Sequence, residues 1–370
     1  MEITVRREDL LRDLQVIQGI VDRRGAIAIL SNALLAASKD ILSISATDLD
    51  VSVKAQCPVR VKKAGATTLP ARKLHDIVRA LPSGSDILLK QDEDGFVTVQ
   101  SERTNYKVAS LPKEDFPTLP ESKASNEIEL PAAVITRLIS KTSFAITVED
   151  ARYYLGGALL IISPSAISMV TTDGHRLCFA KEKIDGGKAA EERVLIPRKA
   201  IQELRQVTEG EETLFFSRTE NHLIFRTSKR TLSSKLVEGQ FPAHEKVIAS
   251  RGPKVGQVKR AELIDGLRRV SLLSTERSRA VRLTMKPGEV ELHAYSPEQG
   301  EAVETIAVEY AGDPVTIGFN AQYLIDFLSV LSDGDVTLEL KDGDSQGIFY
   351  PSTQKDGEAM HRYVLMPMRL

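Results

Sequence analysis

The chain has no tryptophan, two cysteines and six histidines in 370 residues. Cys57 and Cys178 stand in dissimilar settings without CxxC spacing, which excludes a disulfide framework and a thiolate metal site and leaves both as small core residues. No stretch approaches the roughly 20 apolar residues needed to span a bilayer. The N-terminus, MEITVRREDLL, has no apolar run behind its basic residues, so no secretory signal is expected and cytoplasmic residence is. HExxH, P-loop and GxGxxG patterns are all missing. Asp48, Asp173 and His175 could suggest a metal cluster, but the TDGH segment sits in an alternating strand context and is more simply a turn. Neither an enzyme nor a metal or cofactor is expected.

What the chain does have is repetition. Phe116-Pro117 recurs as Phe241-Pro242, and Thr47-Asp48 as Thr172-Asp173, both 125 positions on. LPARKLHDIVRAL from Leu69 is answered by IPRKAIQELRQV from Ile196 and GFNAQYLIDFLSVL from Gly318. Solenoid repeats run about 20 to 50 residues, so this longer period means tandem domains. Linker-like composition in residues 112–127 and 250–257 places the domains at 1–121, 122–249 and 250–370.

Each domain carries two amphipathic helices. Leu10, Leu14 and Ile17 are answered by Ile135 and Ile139, then by Leu263, Leu267 and Val270. Leu74, Ile77, Val78 and Leu81 are matched by Leu324, Phe327, Leu328 and Leu331, with Ile201 and Leu204 between. That is the i, i+3, i+4, i+7 signature of one buried face. Pro131 and Pro197 suit first helical positions, and Asn320 suits an N-cap. Elsewhere the period falls to two, as in Leu42, Ile44, Ala46 and Val51, Val53, Ala55, and Asp94-Gly95 marks a hairpin. The expected class is α+β, with antiparallel sheets on one side and two helices per domain on the other.

The formal net charge is −2. Six helix windows (6–20, 72–81, 131–142, 197–206, 258–271 and 320–331) nevertheless hold 15 Lys or Arg against 8 Asp or Glu. A nearly neutral chain is thus expected to be polarised, with basic helices able to attract phosphates.

These residues resemble the bacterial replicative sliding-clamp family, the beta subunit of DNA polymerase III. The resemblance spans the chain and rests on DLLRDLQVIQGIVDRR, TDLD, ATTLPARKLHDIVRALPSG, LPKEDFPTLPE, ARYYLGGALL, TTDGHRL, SSKLVEGQFPAHEKV, SPEQGEA, IGFNAQYLIDFL and YVLMPMRL. It implies a head-to-tail dimeric ring, sheets outside and helices lining a bore for duplex DNA, serving as a polymerase processivity factor.

The resemblance also implies site residues. DNA contacts would fall on Arg24, Arg72, Tyr153 and Tyr154, with Lys73, Arg137, Lys141, Arg198 and Lys199 on the inner helices. Glu149 stands in that region where the family often has glutamine, and its charge opposes phosphate. A cleft between the central and last domains would take short apolar peptides from the polymerase III catalytic subunit, the clamp loader, other polymerases and repair proteins. Its residues would be Arg152, Leu155, Thr172, Gly174, His175, Arg176, Leu177, Pro242, Lys246, Val247, Tyr323 and Gln346, with Val364, Met366, Pro367, Met368 and Arg369 of the tail. Methionines there suit varied partners. Lys246 replaces an arginine, and Ala28 follows the Arg24 loop where a proline is common. The homodimer interface would join Lys73, Tyr106 and Val108 to Leu272, Leu273, Glu298 and Glu301. The alternative is a peptide-binding adaptor that does not encircle DNA.

Overall fold

The structure is a computed structural model that describes residues 1–21, 27–92, 94–120, 127–147, 155–184, 191–237, 239–275, 279–354 and 360–369. Its helices are α1 (Arg7–Ile20), α2 (Ala71–Ala80), α3 (Ala132–Thr142), α4 (Arg198–Val207), α5 (Glu245–Ala249), α6 (Arg260–Val270) and α7 (Ala321–Val330). The long ones fall on the six predicted stripes. Leu10, Leu14, Leu74, Ile135, Ile201, Leu204, Leu263, Leu267, Phe327 and Leu328 are fully buried. At about 1.5 to 3 kcal/mol for each large apolar side chain removed from water, this burial holds the helices on their sheets.

The chain folds into two compact units, Met1–Ala133 with Lys199–Leu236, and Val134–Arg198 with Val237–Leu370. In spatial order, the first has a five-stranded sheet of Arg60–Lys63, Glu2–Arg6, Asp86–Gln91, Phe96–Ser101 and Thr104–Ala109. Its second sheet has eight strands: Ile128–Pro131, Thr213–Arg218, His222–Arg226, Arg230–Lys235, Val51–Pro58, Ile41–Thr47, Asn32–Ser38 and Gly65–Pro70. The other unit has an eight-stranded sheet of Glu192–Pro197, Gly157–Ser163, Ala166–Thr172, Arg176–Lys183, Met360–Leu365, Gly347–Pro351, Asp335–Leu340 and Lys254–Lys259. A four-stranded sheet of Gly300–Ala307, Glu289–Ser296, Ala280–Lys286 and Val315–Asn320 completes it.

Each eight-stranded sheet joins two four-stranded halves through one antiparallel pair. In the first unit Ser52 lies opposite Ser233, and in the second Leu177 lies opposite Val364. Three tandem domains thus give two shared sheets and two unshared ones.

Two local expectations change and one, the Asn320 cap, is met. Pro131 and Pro197 end strands, one position before the first helical residue, where their missing N–H costs the ladder nothing at an edge strand. Lys254–Gln257 is no linker but part of edge strand Lys254–Lys259, its Val258 buried. The connection before it instead contains α5, which packs on the Met360–Leu365 strand. Asn320 caps α7, its Oδ1 accepting from Gln322 N at 2.9 Å and Tyr323 N at 3.3 Å. No described helix is long and apolar enough to cross a membrane.

Candidate functional site

The repeated Thr-Asp turns are the same device built twice. Asp173 Oδ1 accepts from His175 N at 2.9 Å and Arg176 N at 3.0 Å, and Thr172 Oγ1 donates to Arg176 O at 2.6 Å. Asp48 Oδ1 accepts from Asp50 N at 3.0 Å and Val51 N at 2.7 Å, and Thr47 Oγ1 donates to Val51 O at 3.1 Å. The third turn position has positive φ in both, +88° at Gly174 and +79° at Leu49. One oxygen of each carboxylate is therefore spent on its turn, and the other meets Lys199 at Asp48 and Arg176 at Asp173. Among the described residues no group of three or more His, Cys, Asp or Glu is placed to hold a metal.

The faces beside the two turns differ in chemistry. Beside the second, Leu159, Val170, Leu177, Ile348 and Val364 form a buried aliphatic cluster, with Phe241, Val247 and Ile248 partly buried against it. Subtracting 125 from Leu159, Val170 and Leu177 gives Leu34, Ser45 and Ser52, and Ser233 stands opposite Ser52 where Val364 stands opposite Leu177. The first face keeps a smaller apolar cluster of Ile29, Leu30 and Phe116 with Leu34, but its Ser45, Ser52 and Ser233 replace the aliphatics that carry the second face.

Several predicted cleft residues gather at that face. Met366 N donates to His175 O at 2.9 Å and Met368 N to Gly318 O at 2.8 Å, so the tail is laced first to the turn and then to strand Val315–Asn320. Met366 is 39% exposed, Pro367 and Met368 are half-buried, and Arg369, Gly174, His175, Pro242 and Lys246 are exposed. Val247 and Val364 belong to the aliphatic cluster, and Leu155 and Thr172 are buried near its strands. Gln346 is half-buried at the end of the Asp342 turn. Arg176 is not on the surface at all. Its guanidinium donates to Asp173 Oδ2 at 2.9 Å, Asp326 Oδ2 at 2.7 Å and Phe144 O at 2.8 Å, and lies 4.1 Å from the Tyr323 ring centroid. Its charge is thus committed to Asp173 and Asp326, with the guanidinium lying over the Tyr323 ring. Arg152 lies outside the described residues, as do Arg24, Glu149, Tyr153 and Tyr154.

Within the observed helix bounds the six long helices carry 13 Lys or Arg against 8 Asp or Glu, and two of those acids, Asp13 and Glu203, are buried. The exposed helix surface is thus more basic than the count alone. Lys73 and Arg198 are exposed, and Arg72 is half-buried with an Nε that meets no partner among the described residues. Arg205 is exposed too and was recoverable from the same helical stripe.

Three other predicted cations are engaged within the chain. Arg137 grips Glu182 with Nη2 at 2.6 Å and Nε at 2.9 Å, while Lys141 Nζ reaches its other oxygen at 3.0 Å. Burial works against the Glu182 charge, but the hydrogen bonds from Arg137 and Lys141 outweigh it and hold the carboxyl below its usual range. Lys199 Nζ donates to Ile20 O at 2.7 Å, at the C-terminal end of α1, and pairs with Asp48.

Of the predicted interface residues, Tyr106, Val108 and Glu301 lie on the unshared sheets, and Lys73 is exposed on α2. Tyr106 and Val108 are half-buried on Thr104–Ala109, a terminal strand of the five-stranded sheet. Glu301 is exposed on Gly300–Ala307, a terminal strand of the four-stranded sheet, and Glu298 precedes it. Leu272 is 76% exposed and Leu273 half-buried just after α6.

Comparison with known proteins agrees with this architecture. Residues 1–120 match the N-terminal domain of the DNA polymerase III beta subunit, 129–243 its central domain and 245–369 its C-terminal domain. The beta sliding clamp of Pseudomonas putida is 38% identical over 372 residues, and that of Caulobacter vibrioides 34% over 376, each with 100% of both chains covered. A Pseudomonas aeruginosa sliding clamp solved bound to griselimycin superposes with a TM-score of 0.93 at 35% identity, covering 100% of both chains. With all three domains matched in order and full-length relatives at this identity, the chain belongs to the DNA polymerase III beta subunit family, the beta sliding clamps.

Proposed function

We propose that two copies of the chain close head to tail into a ring around duplex DNA and tether polymerases to it through the aliphatic cleft. The observation that carries the ring is the pair of unshared sheets. Two of the four sheets are eight-stranded joins, whereas the five- and four-stranded sheets end in strands Thr104–Ala109 and Gly300–Ala307, whose outer edges have no partner strand among the described residues. Unpaired edges of this length invite pairing, and a heterologous contact between them either closes or runs on as a filament. Exposed Leu272 and Val303 (58% exposed) give this contact an apolar centre, with Glu298 and Glu301 facing Lys73 of the partner copy across its rim.

Arg198 and Arg205 supply exposed cations of the bore, with Arg72 a further one, Lys73 at its rim near the subunit contact, and Arg24, Tyr153 and Tyr154 assigned there by family resemblance. Such contacts position a duplex without reading its sequence, which sliding requires. Apolar peptides of the polymerase III catalytic subunit, the clamp loader and repair proteins occupy the cleft, and each ring offers two, so partners share or exchange it at high effective concentration. The protein performs no chemistry, and its residence is cytoplasmic.

Loader-dependent retention on nicked circular DNA tests the reading. Retention on circles with release upon linearisation is expected. Equal retention on linear DNA would leave a peptide-binding adaptor instead.

A further inference from the structure

The aliphatic cluster continues along its strands into a polar tether. Alternation places Leu177 and Phe179 on one face of their strand, Val364 and Arg362 beside them, and Ile348 and Tyr350 beyond. Arg362 is 5% exposed, its guanidinium lies 5.2 Å from the Tyr350 ring centroid, and its Nη1 donates to Ile248 O in α5 at 3.1 Å. Tyr350 Oη in turn donates to Glu339 Oε1 at 2.6 Å, and the other Glu339 oxygen accepts from Gly252 N at 3.4 Å. Gly252 leaves no room for a side chain there, since a Cβ would come within 2.7 Å of the Leu340 backbone.

Both ends of the 248–252 segment are thus fastened to the sheet by one relay. Between Pro242 and that segment lies Val247, which packs on the aliphatic cluster. Alone, α5 has five residues and no side-chain cap, too short to hold its own position.

We propose that Arg362, Tyr350 and Glu339 are positioning residues for the peptide cleft: they fix how far α5 stands from the sheet and so set the width of the groove that Val247 borders. The inference rests on the cleft reading above. Arginine is required because a planar guanidinium can stack on Tyr350 while donating to the carbonyl, and lysine cannot do both.

The test measures griselimycin binding to the full chain by calorimetry, with melting temperature and hydrogen exchange of residues 246–250 in parallel. Arg362→Ala should weaken binding about ten-fold, Arg362→Lys and Tyr350→Phe about three-fold each, with faster exchange in α5 and a melting temperature changed far less than in a core truncation. Met366→Asp serves as the direct cleft variant. If it abolishes binding while the three relay variants bind like the parent chain, the relay proposal is overturned and the cleft reading stands. If Met366→Asp also binds normally, both fall. Should Arg362→Ala not fold, Arg362→Lys and Tyr350→Phe decide by the same criteria. Lower melting temperatures with unchanged affinity would likewise overturn it, since that is what a purely structural role gives.

Discussion

Glu182→Gln would release two cations that the fold now withholds from the bore. In the native chain one carboxylate, 9% exposed, answers both Arg137, 53% exposed, and Lys141, 29% exposed. The cluster carries a net charge of +1. Glutamine keeps the shape and one acceptor but raises that charge to +2, leaving both cations free to turn toward phosphate. Hydrogen bonds to charged groups contribute about 1.5 to 3 kcal/mol each, but water can reach the freed Arg137 and Lys141, so the net stability loss should be about 1 to 2 kcal/mol. Each further phosphate that these cations neutralise should steepen the salt dependence of DNA binding by about 0.9 in log–log slope, or about three-fold in affinity between 50 and 200 mM salt. The measurement is fluorescence anisotropy on a labelled duplex across that salt range. Arg137→Ala makes the opposite control. It strands a buried Glu182 on Lys141 alone and should cost about 2 to 3 kcal/mol of stability while hardly changing the slope. Arg198→Ala and Arg205→Ala should each flatten the slope by about 0.9, one phosphate apiece, without touching stability. A slope that falls with Arg137→Ala as much as with Arg198→Ala, and fails to rise with Glu182→Gln, would refute the reasoning and make Arg137 an ordinary DNA-binding residue.

Three further outcomes follow from single features. Burial raises the Glu203 carboxyl from 4.5 to about 7, with Lys199 opposing. Because the folded value exceeds the unfolded one, stability is full below about pH 4.5 and falls as pH rises through 7, by on the order of 3 kcal/mol. Glu203→Gln should flatten that decline in urea unfolding at pH 5, 6.5 and 8, and parallel declines in both proteins would exclude Glu203 as its source. Leu49 sits at φ +79° where its repeat partner is Gly174, so Leu49→Gly should stabilise by about 0.5 to 1 kcal/mol, an expectation lost if the melting temperature drops. Deleting residues 366–370 removes the Met366 and Met368 lacing and should abolish polymerase stimulation at a cost of about 1 to 3 kcal/mol in stability; stimulation that survives would remove the tail from the cleft.

The helices were legible because each needs only its own stripe to declare a buried face, and the 125-residue offset found the turn that both copies build. The sheets were legible as strands but not as joins. Nothing local in Val51–Pro58 or Arg230–Lys235 says that they pair across roughly 180 positions, since such pairing depends on where the chain returns. Side-chain commitment was equally hidden. Lys199 and Arg137 read as solvated helix cations, and only the fold brings Asp48 and Glu182 against them. The surroundings of Arg176 were hidden in the same way, because the turn motif does not show the two carboxylates and two rings that the fold gathers around it. The serine face beside Thr47 was visible in sequence, yet its meaning required the aliphatic face beside Thr172 for comparison.

Strand Arg176–Lys183 shows why both proposed activities can be read from one short segment. Its odd and even positions point to opposite sides, as the period of two demands. Arg176, Cys178 and Glu182 face α3 and the turn that follows it: Arg176 donates to Phe144 O in that turn, Cys178 Sγ lies 3.3 Å from Lys141 O, and Glu182 holds Arg137 and Lys141. Leu177 and Phe179 face the aliphatic cluster and α5. The strand paired with it alternates in step, with Val364 and Arg362 on the cleft side and His361 and Tyr363 on the helix side, where His361 Nε2 meets Lys141 O at 3.1 Å and the Tyr363 ring stacks on Phe327 at 4.7 Å. A one-residue slip of either strand would carry charges into the cleft and aliphatics against α3, so register is fixed from both faces at once. Substitutions on opposite faces share no partner, and Glu182→Gln combined with Arg362→Lys should therefore add, in stability and in each binding measurement, to within about 0.5 kcal/mol. A larger coupling would mean that the strand transmits what happens in the bore to the cleft, and the two faces could no longer be treated as separate sites.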